Sequence, residues 1–314
     1  FVKEKFNLTI NIVGQGTVSK EIIKEATTSE HNNGTIIKLN ATPESGWDFV
    51  QWSGDLLSNN NPKEITITGP NTITANFEKK GPFYLDDNGI TIKAFPNERV
   101  GVKGIINGEE YTLVDNEVLK EMVRNEQDVT KVVTTLVDNL SGLFQSKQNF
   151  NEDISTWDTS NVTDMSWMFL FATTFNQNIG NWDTSNVTKM DWMFYQAYKF
   201  NQNIDNWNTS KVTTTRHMFG QAKEFNKSIA SWDVSVVTDM GFMFTSCEKF
   251  NQNISNWNVS NVSNMNGMFI QTPNFNQDLT KWCVTNITSE PSRFSEDSAL
   301  AESNKPLWGT CPAD

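Results

Sequence analysis

At 314 residues, the chain is long enough for two or three domains with a sizeable buried core. Its formal net charge of -12 and pI of about 4.7 argue against nucleic acid and anionic lipid as partners, because phosphate-rich surfaces attract basic proteins. The sequence has no apolar run near the roughly 20 residues of a membrane-spanning helix, so we expect no membrane insertion.

Residues 1–79 are predicted to form a small all-β domain. Four segments alternate polar with apolar residues, the two-residue period of half-buried strands. They cover residues 8–12, 36–39, 65–68 and 72–77. Stretches rich in Gly, Pro and Asn separate them and are typical of turns.

One segment of this domain, residues 46–55 (GWDFVQWSGD), resembles the divergent internalin-B-type B-repeat, also called the Listeria–Bacteroides repeat. Further matching segments lie at 16–18, 34–35 and 39–43, and the closing Ile-Thr-Ala-Asn-Phe fits as well. The resemblance covers nearly the whole domain. It implies an extracellular spacer or adhesive module rather than a catalyst.

Residues 80–140 are predicted to cap the repeats that follow, because the open end of a repeat stack would expose apolar core and unpaired backbone. Asn107-Gly108 predicts a hairpin turn between two short strands, and Asp115 predicts the start of a helix that continues to about Arg124. The helix is predicted to carry three apolar residues on one face: Leu119, Met122 and Val123.

A 25-residue unit then repeats without insertion or deletion from Phe150 to Trp282. Phe recurs from Phe150 to Phe275, Trp recurs from Trp157 to Trp282, and a Met-Phe pair recurs in between. A period of this length is typical of a solenoid, in which each unit buries its apolar face on its neighbours. Six copies of one surface suit display better than catalysis, which needs a single constellation of residues.

The unit predicts one strand and one short helical segment. The spacing Ile179-x-x-Trp182-x-Thr184 fits the strand signature of leucine-rich repeats, and the cluster from Met190 to Ala197 has helical spacing. The predicted fold class is therefore mixed: a small all-β N-terminal domain followed by an α/β leucine-rich-repeat solenoid with N- and C-terminal caps. The solenoid is placed at residues 141–314, with its C-terminal cap at about 283–314.

An asparagine follows the recurring Phe in every copy, from Asn151 to Asn276. Stacked amides can satisfy backbone groups and one another, so we interpret this row as structural. The many Asn-x-Ser/Thr triplets are interpreted in the same way, as turns rather than glycosylation sites.

The three cysteines divide into two kinds. Cys247 occupies a repeat position that is otherwise Ala, which predicts a small buried core residue. Cys283 and Cys311 flank the final Ser/Glu/Pro-rich stretch, and a disulfide between them would tie the tail over the last repeat of a secreted protein. Two free surface thiols are the alternative.

The repeats resemble those of the BspA-like leucine-rich-repeat surface proteins. Residues 200–204 (FNQNI) and 182–190 (WDTSNVTKM) carry the resemblance, which spans about residues 83–314. Departures include Thr215 in place of Met and Cys283 in place of Asp or Asn after Trp. The resemblance implies a secreted or cell-surface bacterial protein that serves adhesion or the binding of host and matrix molecules.

The first candidate ligand surface is the predicted strand face. If Trp182 and Thr184 point inward, the residues between and after them point outward. This gives two rows that could bind a glycan, with Ca²⁺ as a further candidate ligand at the carboxylates: Asp158, Asp183, Asn208, Asp233 and Asn258, and Ser160, Ser185, Ser210, Ser235 and Ser260. The alternative is a solvated acidic face that keeps the sheet from aggregating.

The second candidate surface is an aromatic strip between the repeated Met residues. The position varies from Trp to Gly while its surroundings barely change, so it is predicted to lie outside the tightly packed core. Exposed aromatic rings could stack on sugars or anchor a protein. The strip comprises Trp167, Phe171, Trp192, Tyr195, Tyr198, His217 and Phe242. The alternative is a partly exposed cover over the core.

Catalytic patterns are weak. The two histidines, His31 and His217, lack a Ser or Cys partner in their sequence context, and His/Cys clusters with metal-ligand spacing are missing. We therefore expect no enzyme, no cofactor beyond the possible Ca²⁺, and an extracellular glycan or protein as ligand. A purely structural spacer and an ice-binding protein are the alternative functions. The sequence leaves the ligand and the oligomeric state open.

Overall fold

A computed structural model describes residues 5–24 and 33–312, so His31 lies outside the described residues. The chain divides into two compact units, Phe1–Pro82 and Phe83–Asp314.

The first unit is a pair of three-stranded sheets. Its six strands are β1 (Leu8–Val13), β2 (Gly16–Lys24), β3 (Thr35–Pro43), β4 (Trp47–Gly54), β5 (Lys63–Ile67) and β6 (Asn71–Lys79). The sheet orders are β1-β6-β4 and β2-β3-β5, with only β1 and β6 parallel among these pairs. Strand alternation places eight fully buried apolar residues in one core: Ile37, Leu39, Ala41, Trp52, Ile67, Ile73, Ala75 and Phe77. The predicted small β domain is present.

The second unit begins with short strands and the one α-helix of the described chain. The elements are β7 (Phe83–Leu85), β8 (Ile92–Ala94), β9 (Lys103–Ile106), β10 (Glu109–Leu113), α1 (Asn116–Arg124) and β11 (Val132–Val133). Asn107 and Gly108 both have positive φ in the β9–β10 hairpin turn, as that turn type requires. Asp115 caps α1 by accepting a hydrogen bond from Val118 N at 3.0 Å, and Leu119 and Val123 are buried. The predicted turn and helix are confirmed.

In the repeat region, equivalent residues of successive units lie next to each other. A row of parallel bridges joins positions 25 residues apart, from Asn139 through Asp164 and Lys189 to Asn264. In the residues that follow each bridge, every second backbone N–H group donates to a carbonyl of the next unit. Met190 N, for example, reaches Thr214 O, and Phe194 N reaches Met218 O. The repeats therefore form a stack of coils.

Two details predicted for the repeat unit are wrong. Residues 190–197 contain no α-helix: Met193, Tyr195 and Ala197 donate to carbonyls three residues earlier, in consecutive turns. A helix cannot form there because every second N–H is committed to the next coil. Nor do residues 179–184 form a strand, since Trp182 N turns back to Ile179 O at 3.2 Å. The single bridge of each coil lies further along, as at Lys189. The described chain is thus nearly all-β with one helix, and the α/β description of the repeats is wrong.

Aromatic columns fill the interior of the stack. Trp157, Trp182, Trp207 and Trp232 stack with centroids 6.3 to 6.5 Å apart, and their ring planes lie within 5° of parallel. The recurring Phe residues from Phe175 to Phe275 are fully buried and stack in a second column. Each column Trp from 182 onward donates its Nε1–H to the Ile carbonyl 28 residues earlier, as Trp207 does to Ile179 at 3.1 Å. Ring area and a satisfied polar atom explain the fixed tryptophan.

The predicted asparagine row is confirmed as structural. From Asn176 onward, each backbone N–H donates to the Asn Oδ1 of the preceding coil at 2.8 to 3.1 Å. The last one, Asn276 Oδ1, accepts from Ala301 N in the C-terminal cap. One side chain per coil therefore satisfies a backbone donor that would otherwise face the preceding coil unpaired.

The C-terminal end breaks the pattern of parallel rings. Phe294 meets Phe269 edge to face at 89°, and Trp308 meets Phe294 at 85°. The structure joins Cys283 and Cys311 in a disulfide, which fastens this tail to the last repeat. Cys247 is fully buried as predicted, and its Sγ donates to Phe219 O at 2.7 Å.

Candidate functional site

The aromatic strip lies on a backbone position with left-handed conformation. In six successive coils the residue has φ between 55° and 65°: Gly142, Trp167, Trp192, His217, Phe242 and Gly267. The conformation is part of the coil, because the N–H at this position donates to the next coil, as Trp167 N does to Asp191 O at 2.9 Å.

Left-handed backbone costs a non-glycine residue about 1–2 kcal/mol, because Cβ crowds the following carbonyl. Glycine escapes this cost and occupies the position in the coils on either side of the four large residues, at Gly142 and Gly267. The coil geometry alone therefore favours glycine here. Four consecutive large rings need another reason.

Ring stacking supplies that reason for three of the four. Trp192 and His217 lie 3.8 Å apart at 19°, and His217 and Phe242 lie 4.7 Å apart at 6°. A Cβ built on Gly267 would fall 2.5 Å from the Phe242 ring, so this glycine leaves room for the last ring. Aromatic pairs contribute about 0.5–1.5 kcal/mol beyond area burial, which offsets much of the backbone cost.

Trp167 is different from the other three. Its side chain is 41% exposed, and it makes no ring contact within the described residues. Its backbone is left-handed at φ 56° like the others. The coil before it carries Gly142, where a Cβ would meet only the Gln145 Oε1 atom at 3.5 Å. Trp167 thus bears the backbone cost without a stacking partner and next to open space.

Of the three other predicted strip residues, Tyr195 packs against the stack, whereas Phe171 and Tyr198 lie further out. Tyr195 lies against Trp192 at 4.8 Å and edge-on to Phe171 at 5.9 Å. Its hydroxyl oxygen accepts a hydrogen bond from Gln221 Nε2 at 2.9 Å. Tyr198 donates to Gln196 Oε1 at 3.1 Å, and the Lys223 ammonium lies 5.6 Å from its ring. All three rings are partly buried.

His217 sits between two rings with a neutral imidazole. Burial lowers its pKa to about 4, and the neighbouring Arg216 charge adds to this, while Asp239 opposes it. Its Nδ1 atom is buried without a hydrogen-bond partner in the described structure. His217 is therefore a neutral ring that stacks on its neighbours rather than a general base.

A row of polar side chains lies beside the strip, on residues one or three positions before each ring. We call it the polar row: Asp164, Ser166, Lys189, Asp191, Arg216 and Asp239. Lys189 pairs with Asp164 at 3.4 Å and Arg216 with Asp239 at 3.7 Å. Burial raises the pKa of Asp191, with the Asp164 charge adding to the effect, although Ser166 donates to Asp191 at 3.0 Å. Sequence reasoning missed this row, although its charges recur near the 25-residue interval.

The other predicted rows are engaged in local turns. Asp183, Asn208, Asp233 and Asn258 each accept a hydrogen bond from the backbone N–H two residues later, at 2.9 to 3.2 Å. Those N–H groups belong to the predicted serines, such as Ser185 and Ser210. Trp182 and Thr184 are buried and Asp183 is exposed, as predicted. These contacts give the rows a structural role.

Asp158 does not point outward as predicted. It is only 2% exposed and accepts hydrogen bonds from Thr135 Oγ1 at 2.8 Å and Ser160 Oγ at 2.6 Å. The N-terminal cap covers the first coil and takes this carboxylate into its own hydrogen bonds. Within the described ranges, His, Cys, Asp and Glu side chains form no group of three placed to hold a metal ion. Calcium at this row stays a prediction.

Two family models match the chain. Residues 116–226 and 200–307 match the family described as Mycoplasma protein of unknown function, DUF285. Residues 6–81 match the divergent InlB B-repeat domain. Neither a curated protein nor a solved structure matches. In the described part of the chain, no helix is long and apolar enough to cross a membrane.

Proposed function

We propose that this chain, which belongs to the family described as Mycoplasma protein of unknown function, DUF285, is a non-catalytic binding protein of the bacterial cell surface or its exterior. In this proposal the stack of coils is a solenoid of leucine-rich-repeat type. Within the aromatic strip, Trp167 contacts an extracellular glycan or protein, and the B-repeat domain is an extracellular spacer or adhesive module.

The observation that carries the proposal is Trp167. A large, exposed ring at a left-handed position costs about 1–2 kcal/mol where glycine would be free of strain. Backbone strain of this kind concentrates at ligand sites. Trp192, His217 and Phe242 recover the cost by stacking, but Trp167 has no ring partner within the described residues. A ligand that stacks on Trp167 accounts for the residue.

The surroundings of Trp167 support a polar ligand with a flat apolar face. In the polar row, the carboxylates of Asp164 and Asp191 are partly exposed, Asp164 beside Lys189 at 3.4 Å and Asp191 held by the buried Ser166 hydroxyl at 3.0 Å. Sugars combine an apolar ring face with hydroxyl donors and are recognised by aromatic rings next to carboxylates. A protein loop with similar groups is the other member of the proposed ligand class.

A glycan and matrix-protein array tests the proposal with three proteins: wild type, Trp167→Gly and the matched control Phe242→Gly. Trp167→Gly removes the ring and the backbone strain together, so its melting temperature should equal or exceed that of wild type. We expect it to lose the array signal of wild type by at least roughly 10-fold. Phe242→Gly makes the same change three repeats away and should keep the signal.

Equal signals from wild type and Trp167→Gly would contradict the proposed site. The alternative function is a structural spacer, which the ring-on-ring packing of Trp192, His217 and Phe242 favours. A spacer predicts that wild type binds no member of the array and that none of the strip variants changes its behaviour.

A further inference from the structure

The phenylalanine column is closed at its C-terminal end but open at its start. Phe150 is the first rung and is partly exposed, whereas the five later rungs, from Phe175 to Phe275, are fully buried. Phe150 stacks on Phe144 at 3.7 Å and on Phe175 at 5.9 Å. The residue 25 positions before it is Asn125, the C-cap of α1, so no earlier ring belongs to the column.

A cavity of about 490 Å³ lies against Phe150. Val123 and Val129 line it from the end of α1 and the segment that follows, and Phe144 and Phe150 line it from the first coil. Glu126 and Glu152 stand at the same cavity, and Lys147 pairs with Glu126 at 3.4 Å. The volume falls in the range of ligand sites in proteins, about 300–1,000 Å³. We call it the open-rung cavity.

The backbone on either side of Phe150 has two donors whose equivalents both find acceptors in the next four coils. Thr174 N donates to Gln148 O at 3.1 Å, and Asn176 N donates to Asn151 Oδ1 at 2.8 Å. The equivalent groups of the first coil are Asn149 N and Asn151 N. Neither has an acceptor among the described residues, and both residues are exposed.

The acceptors that a preceding coil would supply have a fixed spacing. The carbonyl lies two residues before the Phe, as Tyr198 O does for Glu224 N at 3.2 Å. The amide oxygen lies one residue after it, as Asn201 Oδ1 does for Asn226 N at 3.0 Å. The ring itself lies between them, since Phe200 stacks on Phe225 at 5.9 Å.

From this geometry we infer that the open-rung cavity binds an extended peptide of a partner protein that carries Phe followed directly by Asn. The ring stacks on Phe150, the carbonyl two residues earlier accepts from Asn149 N, and the Asn Oδ1 accepts from Asn151 N. Main-chain hydrogen bonds and a side-chain pocket are the usual basis of recognition when a peptide extends a stack of strands or coils. With Lys147 paired to Glu126, the second carboxylate, Glu152, favours a basic residue over an acidic one next to the Phe.

Isothermal titration calorimetry of the full chain with a synthetic peptide that copies residues 198–204 (YKFNQNI) tests the inference. The peptide contains the carbonyl, the ring and the amide at the required spacing, with Lys199 before the Phe. We expect saturable binding below about 1 mM. A peptide with Phe200→Ala should bind roughly 10-fold or more weakly, and one with Asn201→Leu about 5-fold more weakly.

Asn149→Pro in the protein removes one donor that has no acceptor within the described fold, so it should weaken peptide binding with little change in melting temperature. If this variant does not fold, the peptide variants decide by themselves. Trp167→Gly should bind the peptide like wild type, which separates this site from the aromatic strip. Absence of saturable binding below 1 mM, or equal affinity for the Phe200→Ala peptide, would overturn the inference.

Discussion

The inner tryptophan column and the outer aromatic strip recur at the same interval, yet only the column keeps one residue type. From Trp157 to Trp232 the column places each ring within 5° of its neighbours, and each Nε1–H of the column has a carbonyl acceptor. The strip changes from Trp through His and Phe to Gly on a left-handed backbone. The residue type stays the same where both ring area and a hydrogen bond are required. It varies where the backbone of the coil would accept glycine.

The largest effect that distinguishes the two regions is expected from Trp207→Ala. It removes a buried ring between Trp182 and Trp232 and leaves Ile179 O with Trp182 N, at 3.2 Å, as its remaining donor among the described residues. We expect the free energy of unfolding to fall by about 3–5 kcal/mol. Urea denaturation monitored by circular dichroism measures it.

The matched change in the strip is Trp192→Ala, which removes a half-buried ring and its stacking on His217. The resulting decrease in the free energy of unfolding should stay below about 1.5 kcal/mol. Similar losses of unfolding free energy for Trp207→Ala and Trp192→Ala would show that the strip is packed core like the tryptophan column.

A smaller effect is expected from His217 on acidification. Burial and the Arg216 charge lower its pKa to about 4 in the folded protein, whereas the unfolded chain has the ordinary value near 6.5. The unfolded state therefore binds more protons between these values, and stability falls as pH decreases from about 6.5 to about 4. Because the ring is only half buried, we expect a loss of about 1 kcal/mol from this group.

The difference in unfolding free energy between wild type and His217→Phe is measured at pH 7 and again at pH 4.5. Because carboxylates titrate equally in both proteins, a change in this difference with pH reports on His217. Phe keeps the stacking with Trp192 and Phe242 but cannot be protonated. A difference that does not change with pH would show that protonation of His217 has no effect on stability.

An effect of similar size and opposite sign is expected at Thr215, the one polar residue in the Met position of the inner core. It is 1% exposed, and its Oγ1 donates only to Met243 Sδ at 3.3 Å, a weak acceptor. Thr215→Val keeps the shape and removes the hydroxyl, so we expect a gain of about 1 kcal/mol. A thermal melt measures it, and a loss of stability would show that the hydroxyl is well satisfied.

The sequence predicted those parts of the fold that depend on burial and on local turn chemistry. Four of the six strands of the first unit, the Asp115 cap of α1, the Asn107-Gly108 turn and the asparagine row follow from alternation, capping and recurrence, whereas β2 and β4 were not predicted as strands. It did not predict the coil backbone. The cluster from Met190 to Ala197 has helical spacing, but donors committed to the next coil exclude a helix.

The candidate site was predictable only in outline. Variation at Trp167 and its equivalents indicated a position outside the core, but the left-handed φ that gives the variation its meaning cannot be read from residue types. The burial of Asp158 depends on the cap packed against the first coil, which has no equivalent in later repeats. Neighbours distant in sequence decide both cases.

The perpendicular rings of Phe294 and Trp308 have a consequence for self-association. Head-to-tail polymers grow when one end of a molecule is complementary to the other. Here the leading end presents a flat ring with free donors, while the trailing end presents ring edges under a disulfide-tied tail. Ring edges cannot stack face to face on a ring such as Phe150, so the first and last rungs of the column are not complementary to each other by ring stacking.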